Sequence, residues 1–229
     1  MQAKSFSCHS RRRFTPRVRT GTEAQSLCPE VRHLFDRRYS FSMIWFNEPE
    51  TWKQEGETLI VRANPQTDFW RKTHYGFIRD NGHFYYQKAV GDFTVETEFH
   101  GEFASLYDQA GLMVRLNPAF WLKTGIEYVN DIHYVSAVVT REYSDWSVVP
   151  LYAYPGSLRL RLRRESGTVV IEYGGPQDSW VMLRTAYLSD APELEVGRMA
   201  AAPDGPGFQA TFTRYELSLE SLKSKIDCK

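Results

Sequence analysis

Cysteine is scarce: Cys8, Cys28 and Cys228 are the only three in 229 residues, and all lie outside the stretches with strand patterning. None belongs to a CxxC pair or a Cys/His metal spacing, so the sequence offers neither a disulfide framework nor a zinc site. A core that needs no disulfide suits a reducing, cytoplasmic setting. An excess of charge of either sign is missing as well, since Lys+Arg and Asp+Glu both total 28. No global field draws nucleic acid or an anionic membrane, and any partner is recognised locally. No apolar run reaches the roughly 20 residues that a membrane-spanning helix requires. Gly-rich phosphate loops, HExxH and GxSxG are absent too, so no cofactor or metal is expected. Asp80-Asn81-Gly82 and Asn130-Asp131 carry oxygen ligands of the kind calcium takes, but each is already explained as a turn.

Helical periodicity is also missing, and strand patterning stands in its place. Hydrophobic residues make up 42% of the chain and aromatics 14%, the composition of a folded protein. From Met43 onward, eleven runs show period-two alternation or β-branched enrichment, beginning with TLIVRA and HFYYQKAV and ending with FQATFTRYELSLE. Asn117-Pro118, Pro155-Gly156 and Gly174-Gly175-Pro176 are among the turns that punctuate them. Many short strands without a convincing helix predict a single two-sheet sandwich or barrel over residues 43–221. Residues 1–42 are rich in arginine and poor in acids, and show no period. They read as a disordered basic arm, as upstream sequence before a true start at Met43, or as a targeting segment. Residues 222–229 read as a short polar tail.

The run FWLKTGIEYV carries the first functional question. Alternation sends Phe120, Leu122, Thr124 and Ile126 to one face and Trp121, Lys123 and Glu127 to the other. A flat aromatic beside oriented polar groups suits a sugar, which offers an apolar C–H face and a rim of hydroxyls. The same residues are equally explained if Trp121 covers a sheet edge while Lys123 and Glu127 form a solvated pair. If the neighbouring runs pair in chain order, Glu98, His100 and Arg115 join that surface. Glu96 and Glu98 share a strand face about 6.6 Å apart, close to the span of a glycosidase carboxylate pair. With Glu127 they are the candidate catalytic residues. Arg159, Arg161 and Arg163 alternate with Leu158, Leu160 and Leu162, the pattern of a solvated strand face.

The stretches TDFWRKTHYGFIRDNGHFYYQ, YDQAGLMVR, WLKTGIEYVND, VVTREYSDWS and RLRLRRESGTVVIEY resemble the DUF1349 family over about residues 43–219. That family includes a yeast protein named for regulation of enolase. The resemblance implies an all-β jelly-roll sandwich of two antiparallel sheets, the concanavalin A-like lectin/glucanase fold. It also marks Trp70, Asp108, Gln109, Trp121, Lys123, Glu127, Asp145 and Trp146 as matching the family's recognisable positions. With Arg115 added from the predicted strand surface, the expected ligand contacts are Trp70, Asp108, Gln109, Arg115, Trp121, Lys123, Glu127 and Trp146, of which Trp70 and Trp146 fall in loop-like stretches. The expected function is non-catalytic binding of a carbohydrate or polyol. Two alternatives stand beside it: a cytoplasmic interaction module regulating a metabolic enzyme such as enolase, and a divergent glycoside hydrolase or lyase.

Overall fold

The structure, a computed structural model, describes residues 42–220. Of the arm only Ser42 is described, and the polar tail and all three cysteines lie outside the described residues. Two seven-stranded sheets, each antiparallel throughout, make the fold. The first runs, edge to edge, β1 (Ile44–Phe46), β6 (His83–Val90), β15 (Glu193–Ala201), β8 (Gln109–Asn117), β9 (Phe120–Val129), β10 (Ile132–Arg141) and β11 (Tyr143–Leu151). The second runs β14 (Trp180–Tyr187), β13 (Thr168–Gly174), β12 (Leu158–Glu165), β7 (Phe93–Gly101), β16 (Gln209–Leu219), β3 (Thr58–Arg62) and β2 (Thr51–Glu55). A separate hairpin pairs β4 (Phe69–Arg71) with β5 (Ile78–Asp80). Among the described residues no helix is long and apolar enough to cross a membrane.

Alternation explains the layers. Phe93, Val95 and Phe99 of β7 and Leu158, Leu160 and Leu162 of β12 are buried in one core with Leu112, Val114, Leu122 and Ile126 of the facing sheet. Each such side chain contributes about 1.5–3 kcal/mol by leaving water. All eleven runs appear as strands, while β1, β2, β4, β5 and β11 are additional. β11 holds Ser144, Asp145 and Pro150, and its place at the sheet edge is where a proline lacking an N–H is tolerated.

Two local expectations are corrected. β7 does not neighbour β8: the chain crosses from one sheet to the other between them. Glu96, Glu98 and His100 therefore face outward from the second sheet and share no surface with Lys123 or Glu127. Glu96 instead meets Arg161 at 3.9 Å and Arg214 at 3.5 Å, and Glu98 accepts from Ser157 Oγ at 3.3 Å. Trp70 and Trp146, expected on loops, sit on β4 and β11.

The outer face of the first sheet is roofed by the hairpin. Phe69 and Trp70 of β4 press onto Phe84, Met113, Trp121, Val138 and Met199, forming a second small core. Polar bonds pin the hairpin at both ends. Arg115 donates to both oxygens of Asp80, at 2.7 and 2.8 Å, and the Arg71 N–H donates to Ser144 Oγ at 2.9 Å. Beneath the roof Gly111 and Gly125 face each other across β8 and β9. A Cβ on either would stand 2.0 or 1.9 Å from a carbonyl oxygen of the opposite strand, so only glycine permits this approach.

Candidate functional site

Where the hairpin roof ends, a cavity of about 170 Å³ opens. β9 supplies Lys123 and Glu127, β8 supplies Gln109, and the segment leading into β4 supplies Asp68. Gln109 and Glu127 are direct cross-strand partners, so one row of the sheet sets their spacing. Exposed aromatics rim the opening: Tyr75 and Phe77 from the β4–β5 connection and Trp146 from the edge strand. Tyr107, at φ +66°, completes the rim, and its hydroxyl lies 3.4 Å from that of Tyr75. This contact and burial push the Tyr107 hydroxyl up to about 12.

The floor is a buried polar network. Lys123 Nζ donates to Gln109 Oε1 at 2.6 Å, to the Phe69 carbonyl at 2.7 Å and to Asp68 Oδ1 at 3.3 Å. Gln109 Nε2 donates to Asp68 Oδ1 and to the Tyr107 carbonyl, both at 3.2 Å. The Phe69 N–H adds a third bond to the same aspartate oxygen at 2.7 Å. On the other side Ser136 Oγ and Trp146 Nε1 donate to Glu127 Oε2 at 2.7 and 2.8 Å. Each carboxylate thus concentrates its bonds on one oxygen. Among the described residues, no group bonds Asp68 Oδ2 or Glu127 Oε1, and both residues line the cavity.

Burial pushes the Glu127 carboxyl upward, against the pull of Lys123 and the bonds from Ser136 and Trp146. The folded chain holds this proton more tightly than the unfolded chain does. Stability from Glu127 is therefore full below the unfolded carboxyl range and is lost as pH rises through the folded value. Glu127→Gln removes that loss and keeps an acceptor for Ser136 and Trp146. At neutral pH the variant is expected to unfold at a higher urea concentration, with a gain of about 0.5–2 kcal/mol, and the gain should vanish in acid. Unchanged stability at neutral pH would show that the charge is fully compensated in the fold.

The cavity gathers Trp70, Gln109, Lys123, Glu127 and Trp146 from the expected contacts, and three others lie elsewhere. Trp121 is 1% exposed, packed in the second core with its indole N–H on the Pro118 carbonyl. Arg115 is an anchor of the hairpin. Asp108 Oδ2 accepts the N–H groups of Ala104 and Ser105 at 3.0 and 2.8 Å, shaping the turn that carries Tyr107. Asp145 pairs with Arg184 at 2.9 Å. Asp68, Tyr75, Phe77, Arg79, Tyr107, Pro203 and Asp204 line the cavity without having been anticipated. Asp68, Tyr75, Phe77, Arg79 and Tyr107 lie within the quoted family stretches, which is the signal that could have found them.

Fold and site together define an all-β sandwich bearing an aromatic-rimmed, carboxylate-floored pocket on the roofed face of one sheet. The chain belongs to the protein family of unknown function DUF1349, whose model matches residues 45–219. It is 37% identical over 186 residues to Regulation of enolase protein 1 of Saccharomyces cerevisiae, covering 80% of this chain and 92% of that one. A solved structure of a functionally unknown S. cerevisiae protein superposes with a TM-score of 0.75 at 35% identity, covering 78% of this chain and 97% of that one. The carbohydrate-binding module CBM66 from Bacillus subtilis shares the fold, with a TM-score of 0.51 at 14% identity over 77% of this chain and 97% of that one.

Proposed function

We propose that the pocket binds a carbohydrate or related polyol without turning it over. The observation that carries this reading is the pair of unbonded carboxylate oxygens, Asp68 Oδ2 and Glu127 Oε1, on residues that line one cavity with Tyr75, Tyr107 and Trp146. Carboxylate oxygens accept hydroxyl donors, and aromatic faces cover the apolar side of a sugar ring. The likeness to a carbohydrate-binding module supports the same reading. Calorimetric titration against a saccharide panel is expected to find a ligand whose affinity falls about tenfold, or ~1.4 kcal/mol, in Trp146→Ala. The bound saccharide is expected to be recovered intact. Product release lost in Glu127→Gln would favour the hydrolase alternative instead.

The name of the yeast relative supports a second reading, a cytoplasmic module acting on a metabolic enzyme such as enolase. That reading predicts co-purification with purified enolase that does not depend on saccharide.

A further inference from the structure

Hydrogen-bond capacity on the pocket floor is one-sided. All three protons of Lys123 are directed at protein acceptors, and so are both amide protons of Gln109. The indole N–H groups are engaged likewise, Trp146 with Glu127 and Ser136, and Trp70 with the Thr73 carbonyl at 2.9 Å. What remains open on the floor accepts only: Asp68 Oδ2 and Glu127 Oε1, on residues that are 8% and 7% exposed.

Charge is one-sided in the same sense. On the floor the carboxyls of Asp68 and Glu127 face a single cation, Lys123, and burial disfavours the ionised form of Glu127, which a ligand cation would restore. Arg79 and the exposed Asp204 also line the cavity, one charge of each sign, with Arg79 lying over the exposed Phe77 ring, 4.8 Å from its centroid. An anionic sugar would meet two buried carboxyls on the floor, where the donors of Lys123 and Gln109 are already engaged. A neutral sugar would meet the acceptors but would not stabilise the ionised form of Glu127 as a cation does. An ammonium group brings three donors and a charge, and the surrounding aromatic faces attract it further.

From this geometry we infer that the ligand carries a protonated amine beside its hydroxyls: an amino sugar or aminated polyol, with the ammonium between Asp68 Oδ2 and Glu127 Oε1. The inference rests on the saccharide reading of the pocket and narrows it.

Matched titrations of the full chain separate the two. The probes are glucosamine and glucose, galactosamine and galactose, mannosamine and mannose, and N-acetylglucosamine, at about pH 6, where a sugar amine is protonated. At least one amine is expected to bind about tenfold more tightly than its hydroxyl counterpart. That advantage should disappear on acetylation and in Glu127→Gln, and should survive in Glu96→Gln, which alters the opposite sheet. Equal affinity for amine and hydroxyl members, or an advantage that survives Glu127→Gln, would overturn the charge assignment and leave the polyol reading standing. No binding by any of these probes or by neutral polysaccharides would overturn both.

Discussion

Lys123→Met is expected to lower the unfolding free energy by about 3–5 kcal/mol, the loss that follows when one partner of a buried charge pair is removed. Lys123 is 4% exposed, and Asp68, at 8%, would be left with two neutral donors and no cation within bonding distance. Methionine keeps most of the volume, so the loss reads charge and hydrogen bonding rather than a cavity. Adding Asp68→Asn should recover part of it, because the stranded charge is then gone. Chemical denaturation of the two single variants and the double variant measures the coupling directly. A Lys123→Met loss below about 1 kcal/mol would mean that the pair behaves like a solvated surface bridge.

Trp121→Ala is expected to cost a similar amount, about 3–5 kcal/mol, for a different reason. The indole fills the space between β9 and the hairpin, with its ring 6.1 Å from that of Phe69, and truncation leaves a void under the roof. Trp121→Phe keeps a ring there and should cost less. Because Trp121 does not line the pocket, ligand affinity in Trp121→Phe should stay within about threefold of the parent, against the tenfold loss in Trp146→Ala. Affinity collapsing in a folded Trp121→Phe variant would return this residue to the binding surface.

The two faces of β9 were legible in its alternation, and Trp121, Lys123 and Glu127 do share one. What lies above that face was not. β4 and β5 have three residues each, too few alternations to register as strands, and they arrive from some fifty residues earlier in the chain. Trp121 and Lys123 consequently read as exposed when one is core and the other a buried ion. The placement of Glu96 and Glu98 failed differently. Short connections usually join neighbours in one sheet, but the β7–β8 connection changes sheets, and nothing local in residues 102–108 announces it. Trp146 was misread as a loop residue because Ser144, Asp145 and Pro150 mask an edge strand. The overall sandwich survived these errors because its core rests on long, clean alternations such as those of β7 and β12.

Titration of intrinsic tryptophan fluorescence in the full chain, against mono-, oligo- and polysaccharides including amino sugars, tests the central claim most directly. Trp70 and Trp146 both line the pocket and would report a bound ring. The account predicts a saturable change that is lost in Glu127→Gln and retained in Glu96→Gln. A flat response across the panel, or one that persists unchanged in Glu127→Gln, would contradict it.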